Sequence, residues 1–128
     1  LEAAGEPVAL DMIDAAPNAE CLRRKRRSHI VFDHMQGYYG VSSLEALAQG
    51  VPTISGLDDW NREHIAEFTG THDLPWVVAS PDTLTHILRE LIHDPNRRDA
   101  IGAKSRAFID ECWTDRIAAS RLARFYET

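Results

Sequence analysis

The sequence lacks any long apolar run, and this absence narrows the class of protein. Its 128 residues are 44% hydrophobic and 27% charged, which is ordinary for a globular chain. No stretch approaches the roughly 20 apolar residues that a membrane-spanning helix needs. The first residues carry neither an initiator Met nor a basic segment followed by an apolar one, so no signal peptide is visible. We therefore expect one globular domain over residues 1–128, belonging to a processed or truncated chain.

An excess of positive charge is also missing. There are 14 Lys and Arg residues against 20 Asp and Glu, which gives a net charge of −6. Nucleic-acid binders usually show a basic balance, so we do not expect a nucleic-acid partner. The one basic run, residues 23–27, fits a patch for phosphate or acidic lipid. It also fits the solvated last turn of a helix, where cations complement the helix dipole, and we favour this second interpretation.

Cysteine is scarce, and the usual metal-binding motifs are absent. Cys21 and Cys112 fall in predicted helices beside apolar neighbours, which favours two buried thiols in a cytoplasmic protein over a disulfide. His29, Asp33 and His34 are metal-ligand residue types, but no Cys-x-x-Cys or His-Glu-x-x-His spacing accompanies them. We therefore expect neither a metal nor another cofactor.

Short apolar runs alternate with helical patterns along the chain. Strands are predicted at residues 8–13, 29–32, 51–55 and 75–78. Helices are predicted at residues 17–27, 40–49 and 61–68, with further helices starting near residues 80, 94 and 114. This alternation predicts an α/β fold, a Rossmann-like parallel sheet with helices on both faces.

Ligands of such sheets bind outside the carboxyl ends of the strands, and the loop of residues 33–40 lies at one of these ends. Gly37 and Gly40 allow a close backbone approach or a positive φ. The helix that follows would present the amides of Gly40, Val41 and Ser42, with the hydroxyls of Ser42 and Ser43 nearby. Amides at a helix start suit a diphosphate, but a tight turn capped by serines fits the same pattern.

Glu45, in the first turns of the same helix, has two possible roles. Its carboxylate would favour the helix dipole whatever the function. It would equally accept two hydrogen bonds from vicinal ribose hydroxyls, as acids do in other nucleotide-binding folds.

Residues 40–54, GVSSLEALAQGVPTI, resemble the donor-binding segment of retaining glycosyltransferases with the GT-B fold, the group 1 or family 4-like glycosyl transferases. The shared pattern is a glycine before the helix, a Glu-Ala-hydrophobic-Ala run, and Gly-x-Pro leading into a strand. Residues 91–95, LIHDP, and Trp113 are similar to the closing helices of that family. The resemblance runs from about residue 8 onward and implies the later part of the C-terminal, nucleotide-sugar-binding lobe.

The resemblance also implies roles for individual residues. It places the ribose on Glu45 and the donor phosphate oxygens on the amides around Gly40, Val41 and Ser42. The family pattern has a second acid, eight residues before this Glu, that contacts the transferred sugar. That position is Gly37 in this chain, and the adjacent Gln36 would replace the acid after a shift of one residue.

The implied function is that of the donor-binding domain of a retaining glycosyltransferase, which binds a nucleotide diphosphate sugar and transfers the glycosyl group to an unknown acceptor. The acceptor lobe would precede this chain, so we expect the isolated chain to transfer no sugar. No catalytic residue is identified. His34 would line the sugar pocket, and Tyr38 and Tyr39 would stack on a ring or pack in the core. The alternatives are a non-catalytic α/β binding module and a GT-B-like sugar-nucleotide epimerase.

Overall fold

The fold was obtained as a computed structural model that describes residues 8–13 and 17–114, together with residues 116, 119 and 123. Within these residues, helices and strands alternate as the sequence predicts. In chain order they are α1 (Asn18–Arg27), β1 (Val31–Phe32), α2 (Val41–Ala48), β2 (Thr53–Ser55), α3 (Asp59–Thr69), β3 (Val77–Val78), α4 (Leu84–His93) and α5 (Pro95–Cys112).

The three strands form one parallel sheet in the order β1-β2-β3. Val31 lies opposite Thr53 across the first strand pair, and Ile54 lies opposite Val77 across the second. Parallel neighbours joined by helices confirm the predicted α/β class and the Rossmann-like arrangement.

Two clusters of buried side chains cover the two faces of this sheet, because successive strand residues point to opposite sides. One face carries Ile54 and Val77, which pack with Leu91 of α4. The other carries Val78, which packs with residues of α2, α3 and α5. The buried members of this second cluster are Leu47, Leu57, Ile65, Trp76 and Phe108.

The predicted strand at residues 8–13 is wrong, because this segment has no regular secondary structure. It is held instead by α1, where the Arg24 guanidinium pairs with the carboxylate of Asp11 and donates to the carbonyl of Met12 at 3.0 Å. Leu10 and Met12 are 80% and 73% exposed. A strand requires a neighbouring strand for its backbone groups, and a run of apolar residues does not report whether one is present.

Helix ends follow their sequence signals with one exception. Gly50, at φ +74°, ends α2 in a Schellman motif, with Val51 N–H donating to Ala46 O and Gly50 N–H donating to Leu47 O. The Asp94 carboxylate caps α5 by accepting from Arg97 N–H. The signal at residue 80 instead precedes a turn, and α4 starts at Leu84. The helix predicted from residue 114 is represented only by helical residues 116, 119 and 123, and the rest of it lies outside the described residues.

In the described part of the chain, no helix combines the length and the apolar character needed to cross a bilayer. Cys21 and Cys112 both lie in helices as predicted, and both are half-buried thiols.

Candidate functional site

The loops that leave β1 and β2 meet at the carboxyl edge of the sheet and are held together by their backbones. Gly56 N–H donates to His34 O, and Asp58 N–H donates to Gly37 O, both at 2.8 Å. The Ser55 hydroxyl adds a weaker bond to Tyr38 O at 3.4 Å. The glycine loop of residues 33–40 is therefore fixed against the neighbouring loop immediately before it enters α2.

Gly37 occupies the centre of this contact. Its φ is +94°, a value that side-chain-bearing residues rarely adopt. A Cβ at this position would lie 2.8 Å from Oδ2 of Asp58. Asp58 also caps α3, because its Oδ1 accepts from the amide N–H of Asn61 at 2.8 Å and from Asn61 Nδ2 at 2.9 Å. These hydrogen bonds, the backbone one first, lower the pKa of the Asp58 carboxyl. An ionised carboxylate thus occupies the space that a side chain at residue 37 would need.

The N-terminus of α2 already contacts one carboxylate. Oδ2 of Asp33, a side chain that is 7% exposed, accepts from Gly40 N–H at 2.9 Å and from the Ser43 hydroxyl at 2.5 Å. Ser43 is fully buried, so its hydroxyl faces Asp33. Two of the groups that the sequence nominates for a diphosphate, Gly40 N–H and Ser43 Oγ, are therefore already donating to a protein acceptor.

The next two amides of the helix, those of Val41 and Ser42, have no acceptor among the described residues, as expected for the first turn of a helix. Val41 is 70% exposed and Ser42 is half-buried, so this end of α2 is open to solvent. Two N–H groups without a protein acceptor, at the positive end of a helix dipole, are able to bind anionic oxygens.

Glu45 lies one helical turn further along α2 and is paired with a lysine. Oε2 of Glu45 is 2.6 Å from Nζ of Lys25, which belongs to the basic run on α1. The same Nζ lies 3.4 Å from Ser42 O. The Lys25 side chain is 7% exposed and that of Glu45 is 25% exposed, so the lysine is enclosed while the carboxylate still reaches solvent.

Aromatic residues of the glycine loop divide between the surface and the core. The Tyr38 ring lies 4.5 Å from that of His34, and its hydroxyl donates to Gln36 Oε1 at 2.8 Å. Tyr39 packs instead against Trp76 and Trp113, and burial raises the pKa of its phenol. Gln36 and Tyr38, both exposed, therefore form one cluster with the half-buried His34 beside Gly37, and Tyr39 packs against the core.

Two surface depressions lie away from the start of α2. One, of about 420 Å³, lies between α3 and the segment before β3 and is lined by Arg62, His72 and Trp76 among others. The other, of about 270 Å³, lies between Tyr39, α3 and Trp113. Neither is lined by residues 40–45, so neither depression belongs to the candidate site. Among the residues with described positions, no group of three His, Cys, Asp or Glu side chains is arranged to hold a metal ion.

Sequence reasoning did not assign the roles of Asp33, Lys25 and Asp58 at this edge. The burial of Lys25 was indicated by its spacing, because it lies four residues after Cys21 and three after Leu22. Both of these residues are half-buried, so Lys25 lies on the inward face of α1. The role of Asp33 was also indicated by its position. An acid between a strand and a helix that starts at a glycine is placed to accept hydrogen bonds from the first turn of that helix. Asp58 carried only the signal of a helix cap.

A comparison with curated proteins finds one relative whose function is known. Over 89 residues the chain is 36% identical to the GDP-mannose-dependent monoacylated alpha-(1-6)-phosphatidylinositol monomannoside mannosyltransferase of Corynebacterium glutamicum. The matched region covers 70% of this chain but only 23% of that enzyme. No family model matches the chain, and no solved structure matches it significantly.

Proposed function

We propose that the chain is the nucleotide-sugar-binding part of a retaining glycosyltransferase with the GT-B fold. The observation that carries the proposal is the start of α2, where two amides without a protein acceptor precede Glu45 by about one helical turn. One turn spans about 5.4 Å, so an anion at the amides and a hydroxyl pair at the carboxylate would be neighbours. A nucleoside diphosphate presents these two groups side by side. The similarity to a GDP-mannose-dependent enzyme supports a donor of this class.

In this proposal the diphosphate binds to the amides of Val41 and Ser42, since that of Gly40 is engaged by Asp33. When the bond between the sugar and the diphosphate breaks, negative charge grows on the leaving diphosphate. The oriented amides and the dipole of α2 then stabilise that charge, which is the kind of electrostatic assistance that often dominates catalysis. The acceptor and the remaining charge-neutralising groups come from other parts of the enzyme.

The experiment that tests this is a binding titration of the chain with GDP, UDP, ADP and GDP-mannose. We expect dissociation constants near the millimolar range, a binding free energy of about −4 kcal/mol, because the proposed contacts are limited to the start of α2 and Glu45. Glu45→Ala should weaken nucleotide binding by roughly 1–3 kcal/mol through loss of a charged hydrogen-bond acceptor. Glu67→Ala, which removes an exposed acid of α3, is the matched control and should bind as the wild type does. Equal binding by Glu45→Ala and Glu67→Ala would count against the ribose site.

Donor binding without turnover is a second candidate function, favoured by the absence of an acid at Gly37. In that case the intact protein would bind nucleotide sugars but release no nucleoside diphosphate. Turnover by the intact protein therefore separates the two functions, and analysis of the sugar product separates a transferase from an epimerase.

A further inference from the structure

The five cations of residues 23–27 differ in their surroundings, and one of them is buried. Arg24 pairs with Asp11, and Arg26 donates to the side chain of Gln49 at 3.0 Å, both near the surface. Arg23 is exposed. Lys25 alone among these five is buried, at 6% exposure, and its Nζ reaches the first turns of α2.

A buried ammonium is unfavourable unless it is paired, so the 2.6 Å contact with Glu45 explains how Lys25 is tolerated. It does not explain why a lysine is present, because an apolar residue would join α1 to α2 without this desolvation cost. What the lysine adds is a fixed direction for a carboxylate that would otherwise rotate in solvent. A group that binds a ligand is held in its productive orientation by supporting hydrogen bonds of this kind.

The geometry of the pair leaves half of the carboxylate available. Nζ contacts Oε2 and also lies near the carbonyl of Ser42, so the lysine is held at two points. Oε1 of Glu45 has no partner within the described part of the chain, and the side chain is 25% exposed. An ionised carboxylate has about four acceptor positions, of which Lys25 occupies one.

We propose that Lys25 is a positioning residue, which holds the Glu45 carboxylate in the one orientation that accepts the vicinal hydroxyls of a ribose. The inference rests on the proposed function, because it requires that Glu45 binds ribose. Lys25 itself contacts Glu45 and not the nucleotide. Its removal should therefore affect recognition of the ribose hydroxyls and leave the contribution of the phosphates unchanged.

The test compares two ligands, GDP and 2′,3′-dideoxy-GDP, by amide chemical-shift titration. The wild-type chain should prefer GDP by about tenfold. Lys25→Met keeps most of the aliphatic stem and removes the charge, and it should bring the ratio of the two affinities close to one. Affinity for the dideoxy nucleotide should stay within about twofold of wild type, because in this proposal Lys25 acts through Glu45 and not on the phosphates. Arg23→Met, at an exposed position of the same helix, should keep the wild-type ratio.

A second pair of variants covers the case in which Lys25→Met fails to fold. Lys25→Arg keeps a charged donor for the carboxylate and should preserve part of the preference. Lys25→Gln keeps a neutral donor, so its preference for GDP should be smaller than that of Lys25→Arg. Where Lys25→Met is folded, the preference of Lys25→Gln should exceed that of Lys25→Met. Spectra of the unliganded variants establish that each is folded before the ratios are compared.

The outcomes separate this inference from the proposed function. If Glu45→Ala abolishes the preference for GDP and a folded Lys25 variant retains it fully, Lys25 is only structural and the inference is overturned. If Lys25→Met weakens the binding of GDP and of the dideoxy nucleotide equally, the lysine is a phosphate ligand, and the inference is overturned. If Glu45→Ala itself leaves the ratio unchanged, the ribose site is wrong, and the proposed function fails with it.

Discussion

At the scale of single residues, Gly37 determines what the carboxyl edge of the sheet can hold. The resemblance to glycosyltransferases places an acid at this position, but here its backbone has φ +94° and Asp58 fills the space beside it. Both the backbone and the neighbour exclude a side chain. The departure from the family pattern is therefore built into the packing of two loops and is not a simple loss of one carboxylate.

Gly37→Ala should accordingly destabilise the chain more than Gly70→Ala does. Gly70 also has a positive φ, +80°, but no atom lies within 4 Å of where its Cβ would be. The Gly70 variant should cost about 1 kcal/mol from backbone strain alone. The Gly37 variant should cost roughly 2–3 kcal/mol because the displacement of Asp58 is added to the same backbone strain. Urea unfolding measures both, and equal costs would show that Asp58 gives way easily.

At the scale of elements, the close approach of α5 to the end of α2 depends on a helical glycine. Gly102 is buried, and a Cβ there would overlap the carbonyl oxygen of Gly50, the residue whose left-handed conformation ends α2. α5 thus supports the helix that carries the candidate site, from the end opposite to its amides.

Gly102→Ala tests this support. Although Ala favours helices over Gly by up to about 1 kcal/mol, the overlap should reverse the sign and destabilise the fold by roughly 1–3 kcal/mol. Ala103→Ser, on an exposed position of the same helix, should change stability by less than about 0.5 kcal/mol. A more stable Gly102→Ala protein in thermal unfolding would contradict the packing described here.

The cap of α3 should make part of the stability sensitive to acid. Hydrogen bonds from Asn61 lower the pKa of Asp58. The Asp58 carboxylate therefore takes up a proton less readily in the folded state than in the unfolded chain. The resulting stabilisation is present above the unfolded value of about 4 and is lost as the pH falls through the lower folded value. Asp58→Asn should therefore flatten the stability profile between about pH 5 and pH 2. Asp82→Asn, in an exposed turn, is the control and should keep the wild-type slope.

At the scale of the whole molecule, the sequence predicts the class of fold and the position of the glycine loop well. The runs around Val31, Ile54 and Val77 are rich in β-branched residues, and each pairs as a parallel strand. Residues 8–13 are also mostly apolar, though only Val8 and Ile13 are β-branched, and they form no strand, because strand formation depends on a partner that the local pattern does not contain. Local signals thus predict which segments are apolar but not which of them pair.

The candidate site was predictable only in part for a related reason. The open amides of Val41 and Ser42 follow from a helix that starts at a glycine. The partners of that helix come from segments distant in sequence, with Lys25 twenty residues before Glu45 and Asp33 ten before Ser43. The spacing along α1 indicates that Lys25 faces inward, but it does not indicate the partner, so the pairing with Glu45 is visible only in the fold.

The isolated chain should transfer no sugar. It spans 23% of the mannosyltransferase to which it is similar, so the groups that position an acceptor are proposed to lie outside it. Without them the chain lacks proximity effects worth roughly 7–11 kcal/mol. Incubation with nucleotide sugars should release nucleoside diphosphate no faster than in buffer alone. Sustained release that disappears in Glu45→Ala would show that this one part suffices for turnover.

A chemical-shift map with GDP measures whether the first turn of α2 binds a nucleoside diphosphate. We expect the largest shifts on the amides of Val41 and Ser42 and on Glu45, and a weaker response in Glu45→Ala. Shifts that cluster instead on Arg62, His72 and the rest of the larger depression, with residues 40–45 unmoved, would contradict this expectation.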